Sequence, residues 1–402
     1  MRILVRTVVI IVAALGVIFL SVEFDRRHGL YWYDVTQDYR YEFGDSPLGS
    51  IRIRIAGDEV RLPELPEGWD TAVLSLDIES TVAGHWFEPA LSVGNESDSW
   101  THTFARGAEG RRYLVLDPRS VASDEVLKLT GEHLRWPEQD AELLLFATPE
   151  LVNAKVLILA THPDDAEIAA FGLYASRDSY VVTVSAGNYV DGLYDHLATE
   201  SAEQLAWRGR VRVWDSLAVP LWGDIPADHI VNLGYWNGSL QALYEQRDSL
   251  GARRGDLSGT DDPSLYRSGA VDELLDGRRG NPTWRSLVAD IEALIRSIEP
   301  DIIVTPHPAL DAALDHQFTT IALLEAMTAI GDTDTVLLLY TNHHVLSEYY
   351  PFGPTGSGIT LPPWLDDALT FGGVYSHDLD ADMQMRKLFA LEAMHDLRAA
   401  PR

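Results

Sequence analysis

The sequence predicts an α/β protein in which a mostly parallel sheet follows a β-sandwich domain and an amino-terminal membrane helix. From about residue 151, short apolar runs alternate with helical patterns, which is the order of elements in a parallel sheet. Between residues 29 and 150, several runs alternate apolar and polar residues with period two, as strands with one wet face do. The first 28 residues contain a long uncharged run. We therefore predict three domains, at residues 1–28, 29–150 and 151–402.

The charge of the chain is strongly negative. Its 402 residues include 31 Lys plus Arg and 61 Asp plus Glu, which gives a net charge of −30. Such a chain repels a phosphate backbone, so we expect no nucleic-acid partner. The same acidic excess is typical of proteins that work in high salt, where screening removes the self-repulsion, and it predicts a halophilic source. Because the sequence has no cysteine, disulfides, thiolate metal sites and cysteine nucleophiles are excluded.

The amino terminus predicts a signal anchor, that is, an uncleaved transmembrane helix. Arg2 and Arg6 precede Thr7–Val22, an uncharged run of 16 residues. As a helix this run would span roughly 24 Å, somewhat less than a hydrocarbon core of about 30 Å. No clear small-x-small cleavage site precedes Glu23, although a cleaved signal peptide and a buried helix remain alternatives. Arginines before the span place the short end in the cytoplasm, so we expect the rest of the chain on the extracytoplasmic side.

The second domain shows the signals of short strands. Ile51–Ile55 and Leu74–Glu79 alternate with period two, and further apolar runs are separated by clusters of Gly, Pro, Asn and Asp. This spacing predicts a β-sandwich. Its aromatic residues suit either a sugar-stacking platform or the core. They are Trp86, Phe87, Trp100, Phe104 and Trp136.

The third domain has the alternating pattern of βαβα units. Strands are predicted at 156–160, 180–185, 229–233, 301–305 and 335–340, and helices near 166–177, 198–216, 284–298 and 316–330. The helix over 284–298 is the clearest, with Leu287, Ile291, Leu294 and Ile298 on one face and Pro300 after its end. A polar segment at 238–282 is too long for a simple connection, and it suits either a lid or binding loop or a solvated excursion.

Ionisable residues follow two of the predicted strands. His162, Asp164 and Asp165 come directly after the strand over 156–160, and a second group follows the strand over 301–305. That second group consists of His307, Asp311, Asp315 and His316. Because ligands bind beyond the carboxyl ends of strands in open α/β sheets, we expect both groups at one edge and the chemistry of the protein there.

His162, Asp165 and His316 form a candidate metal-ligand set. Two His and one carboxylate leave coordination positions open, as in catalytic zinc sites. Asp164 would then be the general base, since neighbouring carboxylates on a tight loop point apart. A structural alternative remains for each carboxylate, because Asp164 or Asp165 could cap the following helix and Asp315 could cap the helix over 316–330.

The motif His162-Pro-Asp-Asp-Ala-Glu-Ile, followed some 150 residues later by Asp315-His316, resembles the PIG-L/LmbE family of zinc-dependent N-acetylglucosamine deacetylases. The resemblance covers about residues 154–400. It implies a Rossmann-like fold, Zn²⁺ or another divalent metal on His162, Asp165 and His316, and Asp164 as general base. It also implies hydrolysis of an N-acetyl group from an amino sugar.

The chain departs from the family pattern at one position that matters for proton transfer. The family usually has a histidine three residues before its last zinc ligand, where this chain has Ala313. We predict that His307 replaces this histidine in catalysis and that Asp315 also takes part, with His343 and His344 as further candidates.

Two residues are predicted to bind substrate, namely Arg208 and Asn237. Arg210 and Arg212 are alternatives to Arg208 for binding a hydroxyl or phosphate group, and a position on the helix surface is the structural alternative for each of the three. Asn188 and Asn237 stand where the family would have carboxylates.

These features predict a metal-dependent hydrolase that removes N-acetyl groups from an amino sugar in a glycan, glycolipid or exopolysaccharide outside the membrane. Two rivals come from other classes. Ala313 favours a glycan-binding protein with an impaired hydrolase domain. An Fe(II) oxygenase would use the same ligand set, but it leaves Asp164 without a role.

Overall fold

A computed structural model of the chain describes residues 21–24, 33–44, 48–147, 153–189, 198–247, 263–343, 357–364 and 370–397. The chain folds as two compact units. The first comprises Met1–Thr148 and His344–Ser376, and the second comprises Pro149–His343 and His377–Arg402. Nothing in the sequence pattern indicated that residues 344–376 would join the amino-terminal unit. The boundaries predicted for the three domains stay predictions.

The predicted membrane segment, Thr7–Val22, lies outside the described residues except for its last two positions. Within the described ranges, no helix combines the length and the apolar character that crossing a bilayer requires. The signal anchor and the extracytoplasmic location therefore stay predictions.

The first unit contains a nine-stranded sheet in which neighbouring strands are antiparallel. The strands run in the order β5-β4-β7-β2-β1-β9-β3-β6, and β8 pairs with β3. Their bounds are β1 (Gly49–Ala56), β2 (Glu59–Arg61), β3 (Thr71–Ser80), β4 (Ala90–Gly94), β5 (Ser99–Thr103), β6 (Glu109–Val115), β7 (Val126–Glu132), β8 (Leu134–Arg135) and β9 (Gln139–Phe146).

The prediction of a two-sheet sandwich is therefore wrong in its architecture, although the strand-rich character is confirmed. In the order of the sheet, the three strands β2, β1 and β9 separate β7 from β3. The residues that follow β7 nevertheless form β8, which pairs with the end of β3. One continuous sheet thus curls on itself. Its inner face holds a buried apolar core that includes Ile55, Leu76 and Leu129.

The outer face of β3, predicted to be wet, is instead covered. Val73 packs there in an aromatic cluster with Tyr113 and Phe43, and Leu361 from the carboxy-terminal part of the unit joins the same cluster. The main chain supports this packing, since the Leu361 N–H donates to the Tyr113 carbonyl at 2.8 Å. A segment distant in sequence therefore supplies the cover.

The predicted sugar-stacking platform is not supported. Trp100 and Phe104 are buried in the core, and Phe87 is exposed. The indole N–H of Trp136 donates to the Gly57 carbonyl at 2.8 Å. For Trp100 and Phe104 the alternative, that these residues belong to the core, is confirmed.

His102 on β5 makes the first unit sensitive to acid. Its side chain is fully buried, and neither ring nitrogen has a hydrogen-bond partner among the described residues. Burial lowers the pKa of His102 to about 3 from an ordinary 6.5. Below pH 6.5 the His102 imidazole therefore binds a proton in the unfolded chain but not in the folded chain. The stability of the fold decreases as the pH falls from 6.5 towards 3.

We expect His102 alone to lower the free energy of unfolding by about 2 kcal/mol as the pH decreases from 6.5 to 5. His102→Leu should remove that part of the acid sensitivity. Urea unfolding at the two pH values, followed by tryptophan fluorescence, measures it. Equal losses of stability in the wild type and in the variant would contradict the prediction.

The second unit contains a six-stranded sheet in the order β13-β12-β11-β10-β14-β15. All pairs are parallel except that of β12 with the edge strand β13, which confirms the mostly parallel sheet. The five parallel strands have the 3-2-1-4-5 order of Rossmann-like sheets. Strand bounds are β10 (Lys155–Ala160), β11 (Asp178–Ser185), β12 (Ile230–Tyr235), β13 (Ser268–Gly269), β14 (Ile302–Pro306) and β15 (Val336–Tyr340).

Seven α-helices of the described residues accompany these strands. They are α1 (Asp165–Tyr174), α2 (Ser201–Ala218), α3 (Leu240–Glu245), α4 (Val271–Leu275), α5 (Trp284–Ile298), α6 (Leu314–Ile330) and α7 (Ala381–Ala393). The prediction for α5 is confirmed at both ends. Thr283 caps it by accepting from the Ser286 N–H at 3.1 Å, and its four predicted core residues are buried.

Much of the described part of the polar segment 238–282 is packed, so a solvated excursion is wrong for the packed residues, although residues 276–279 are exposed. Leu240 and Tyr266 are buried, and β13 extends the sheet. The Arg267 guanidinium donates to the buried Asp290 carboxylate of α5, which also accepts from the Tyr235 hydroxyl at 2.8 Å. This buried ion pair attaches the segment to α5. Residues 248–262 lie outside the described ranges.

Candidate metal centre and active site

Three of the predicted residues meet at the carboxyl ends of β10 and β14. His162 lies two residues after β10, Asp165 begins α1, and His316 lies in the first turn of α6. Two buried threonine contacts hold α6 against the strands. The hydroxyl of Thr161 bonds that of Thr319 at 2.9 Å, and Thr320 donates to the Pro306 carbonyl at 2.5 Å.

The ligand atoms of His162, Asp165 and His316 all lie within 4.8 Å of one another. His316 Nε2 is 3.1 Å from His162 Nδ1 and 3.0 Å from Asp165 Oδ2, and the third separation, between His162 Nδ1 and Asp165 Oδ2, is 3.5 Å. Zinc bonds of 2.0–2.1 Å in tetrahedral geometry predict ligand separations of about 3.3 Å. The three residues therefore have the spacing of a metal-ligand set.

The outer nitrogens of both histidines face carboxylates. His316 Nδ1 is 3.0 Å from Asp311 Oδ2, and His162 Nε2 is 3.4 Å from Asp315 Oδ2. With its proton on the outer nitrogen, each neutral histidine would turn the lone pair of its inner nitrogen towards Asp165 Oδ2. Two lone pairs and a carboxylate oxygen at this distance need a cation between them, either a proton or a metal ion.

The electrostatics of His316 agree with a cation site. Burial opposes a positive charge on this imidazole, but the carboxylates of Asp165 and Asp311 outweigh burial and raise its pKa to about 10. The field that retains a proton on His316 also attracts a metal cation. We conclude that the residues present fit a divalent metal.

Asn342 fixes the orientation of Asp165. Its side-chain N–H donates to Asp165 Oδ1 at 2.9 Å, while the His162 N–H donates to Oδ2 at 2.7 Å. Asp165 is 1% exposed, so these bonds are shielded from water. Asn342 lies two residues after β15, which places it at the same edge of the sheet. The carboxylate is thereby held with Oδ2 towards the histidines.

The carboxylate of Asp164 bonds Arg212 and does not cap α1. Asp164 occupies the N-cap position, but its side chain makes no capping hydrogen bond, so the capping alternative is wrong for this residue. Its Oδ2 instead accepts from Arg212 at 2.8 Å. The backbone of Asp164 has φ 144, a conformation that costs a non-glycine residue about 1–3 kcal/mol. This strained backbone separates two adjacent carboxylates.

Arg212 on α2 is buried and holds the loop of Asp164. The same guanidinium nitrogen that bonds Asp164 donates to the Pro163 carbonyl at 2.8 Å. The guanidinium lies 2.7–2.9 Å from where a Cβ at Gly187 would be, so only glycine leaves room for it. Arg212 was predicted as an alternative to Arg208. Arg208 is also buried, but its guanidinium stacks on the Tyr189 ring at 3.5 Å.

Asp311 is a fully buried carboxylate that links the two loops of the site. Besides His316, it accepts from the N–H groups of Ala313 at 3.0 Å, Asn342 at 2.8 Å and His343 at 3.2 Å. Burial raises the pKa of Asp311, but the hydrogen bond from His316 and the backbone bonds outweigh it, and the pKa is lowered. Asp311 therefore stays ionised and orients His316.

We expect Asp311→Ala to weaken metal binding about 10–100-fold, because residues that orient a ligand histidine have effects of this size. Calorimetric titration of zinc into the metal-free protein measures the affinity. Asp332→Ala is a matched control, since Asp332 also accepts backbone bonds, from Asp334 and Thr335. Equal zinc affinity in the wild type and the Asp311 variant would show that Asp311 does not orient the ligand.

Asp315 does not cap α6, so that alternative is wrong. α6 begins at Leu314 with no side-chain capping bond. The Asp315 carboxylate instead accepts from the N–H of Gly238 and, at 3.1 Å, from that of Leu240 at the start of α3. Because it also faces His162, Asp315 connects a metal ligand to the loop that contains Asn237.

The other predicted residues lie around this centre. Asn237 bonds through its backbone, its N–H donating to Asn188 Oδ1 at 3.1 Å. His307 is 2% exposed, and its Nδ1 accepts from the N–H groups of Ala309 and Leu310 at 3.1 and 3.0 Å, while burial lowers its pKa to about 4. His344 lies outside the described residues.

His343 has an exposed side chain, unlike His307. Its ring lies 4.8 Å from the ring of His316 between centroids. The Ala312 N–H donates to the His343 carbonyl at 2.6 Å, which brings His343 beside the loop of Ala313.

Asp311 and Asn342 support the site in ways that the sequence prediction did not include. Asp311 belongs to the polar group after β14, but its contact with His316 depends on the fold. Asn342 carries a signal in the sequence, because it follows the end of β15 and the ends of parallel strands meet at one edge of the sheet.

Comparison with known proteins gives one family match. Residues 157–327 match the family model PIG-L, described as GlcNAc-PI de-N-acetylase. The resemblance predicted for about residues 154–400 is confirmed over this range. No curated protein matches the chain significantly.

Solved structures show only distant likenesses. GalB, the 4-carboxy-2-hydroxymuconate hydratase of Pseudomonas putida KT2440, is 12% identical with a TM-score of 0.25, over 46% of this chain and 62% of that chain. A family two carbohydrate esterase from Cellvibrio japonicus is 12% identical with a TM-score of 0.18, over 75% of this chain and 88% of that chain. The chain thus spans less than two thirds of GalB, and TM-scores this low carry no argument.

Proposed function

We propose, from the premise that residues 157–327 form a PIG-L domain, that this chain is a metal-dependent de-N-acetylase of N-acetylglucosamine-type sugars. The observation that carries the metal dependence is the convergence of His162, Asp165 and His316 within 4.8 Å. Zinc is the metal we propose, because two histidines and one carboxylate are a common catalytic zinc set.

A bound divalent metal would polarise the acetamide carbonyl and make water more acidic. The carboxylate of Asp164 accepts the proton of the attacking water as the new C–O bond forms at the carbonyl carbon. Arg212 binds Oδ2 of this carboxylate and so orients it. When the C–N bond breaks, Asp164 returns the proton to the sugar nitrogen. The products are acetate and a free amino sugar.

Because Ala313 stands where the family usually has a histidine, we propose that another group assists Asp164 at the leaving amine. His307 was predicted for this task, and its Nδ1 is occupied by two backbone donors, so its proton lies on Nε2. A neutral His307 can donate a hydrogen bond without carrying a charge. His343 is the second candidate, because its exposed ring lies beside that of His316.

Single substitutions with a rescue distinguish the two histidines. If His343 is the assisting group, we expect His343→Ala to lower turnover about 10²-fold or more, and if His307 is that group, we expect the same loss from His307→Ala. Ala313→His in that background should restore part of the rate, because an imidazole then stands where the family has it. Ala313 is half-exposed, so the larger side chain has room. Full turnover in both single variants would exclude both histidines.

The function itself is tested by acetate release from N-acetylglucosamine and its oligomers with zinc-loaded protein. Release that is lost with a chelator and recovered with zinc supports the proposal. Metal binding and sugar binding without acetate release at any chain length would favour the alternative that Ala313 suggests, a glycan-binding protein with an impaired hydrolase domain. We also propose that the substrate belongs to a surface glycan, glycolipid or exopolysaccharide, since the predicted signal anchor places the chain outside the membrane.

A further inference from the structure

Large apolar side chains are exposed together on one surface of the second unit. We call this surface the tryptophan face and define it by Trp214 of α2, Leu221 and Trp222 of the following turn, and Met385, Leu388 and Phe389 of α7. Trp214 is 66% exposed, Trp222 is 50% exposed and Phe389 is 53% exposed. Contiguous apolar surfaces of this kind mark interaction sites.

The tryptophan face is continuous because the elements that form it contact one another. The turn Pro220–Gly223 packs against both α2 and α7. Arg386 of α7 donates to the Trp222 carbonyl at 2.8 Å and to Asp224 at 2.6 Å. A further turn, His395–Leu397, packs against both helices and exposes Leu397. The face therefore extends over three touching elements.

Helix α7 exposes three large apolar side chains beside its charged residues. Met385, Leu388 and Phe389 are each at least half-exposed, although Ala390 of the same helix is buried. Lys387 instead lies against α1 and donates to the Ile168 carbonyl at 2.8 Å. Burial lowers the pKa of Lys387 to about 8. The outward apolar side chains therefore suit a surface that is covered by a partner.

Three observations favour a lipid surface as this partner. The chain carries a net charge of −30, so a second copy would be repelled electrostatically. Tryptophan and phenylalanine are side chains that enter the interfacial region of a bilayer. The same chain contains the uncharged run Thr7–Val22, which predicts contact with a membrane.

We propose that the tryptophan face docks on the interfacial region of an uncharged lipid bilayer. The proposal goes beyond the deacetylase function and does not depend on it. An uncharged surface is required, because an anionic leaflet would repel the acidic chain.

The absence of cysteine from the sequence allows a site-specific test. Full-length Leu388→Cys, labelled with an environment-sensitive fluorophore, is reconstituted with phosphatidylcholine vesicles. We expect a blue shift of the label and its quenching by nitroxide-labelled lipid. Phe87→Cys in the first unit, where the side chain is 58% exposed, is the matched control and should not respond. Adding Trp214→Ser and Trp222→Ser to the labelled Leu388 variant should reduce the blue shift.

Three results would overturn the proposal. The Leu388 label could report the same environment with and without vesicles, or both labels could respond alike. A blue shift that grows with protein concentration in the absence of vesicles would instead identify a second copy of the chain as the partner. Because these readouts do not involve acetate release, they are independent of the proposed activity.

Discussion

Asp164→Asn is expected to lower the rate of acetate release roughly 10²–10⁴-fold, because the variant cannot accept the proton of the attacking water. Asn is the informative replacement. It has nearly the same size as Asp, and Asn is among the non-glycine residues that best tolerate positive φ, so the strained backbone at φ 144 should be kept. Zinc affinity should not change, since Asp164 Oδ2 contacts Arg212 rather than the metal ligands.

Steady-state acetate release and zinc titration on the same preparations give the two readouts. Asp224→Asn serves as the control, because Asp224 also has positive φ, at 63, and is exposed. A variant at position 164 with full activity would remove the base from the mechanism. A variant that loses zinc as well as activity would show that Asp164 acts through the metal site instead.

His316→Ala is expected to abolish stoichiometric zinc binding and to destabilise the metal-free protein. The first effect follows because the set would retain only His162 and Asp165 as ligands. The second follows because Asp165 and Asp311 are buried and would lose their shared imidazole partner. Removal of one member from a buried ion-pair network costs about 3–5 kcal/mol.

Zinc content after dialysis and urea unfolding of the metal-free proteins measure these two effects. His229→Ala is the comparison, since this histidine stacks on Tyr180 at 3.8 Å between centroids in the same unit and has no place in the site. Full zinc occupancy in the His316 variant would refute the ligand assignment. Unchanged stability of the metal-free variant would show that His316 is not the charged partner of the two carboxylates.

Local periodicity explains which parts of the fold could be predicted. The stripe on α5 and the apolar runs of β10 and β14 are properties of a few consecutive residues, so they are visible in the sequence. The curled sheet depends on which strands pair, and β8 on β3 is a long-range pairing that no local pattern records. The cover over β3 likewise comes from residues such as Leu361, far away in the chain.

The candidate metal-ligand set could be predicted because His162 and Asp165 follow a buried strand closely and His316 lies in the first turn of the helix after a second one. Their supporting residues were harder to assign. Arg208 and Arg212 are one turn apart on α2 and are both buried, so the sequence could not show which of them approaches Asp164. Arg212 reaches Asp164 because Gly187 has no side chain in the place that the Arg212 guanidinium occupies, and this contact exists only in the folded unit. Asp315 was predicted to take part in catalysis, and that role stays a prediction. Its contacts are with His162 and the start of α3.

The strained backbone of Asp164 bears on the history of this chain under mutation. Glycine would relieve the strain at φ 144, which amounts to about 1–3 kcal/mol. The same replacement would remove the carboxylate that bonds the buried Arg212, and loss of one member of a buried ion pair costs about 3–5 kcal/mol. A single replacement at position 164 therefore gains no stability, and we expect residues 164 and 212 to change only together in related chains.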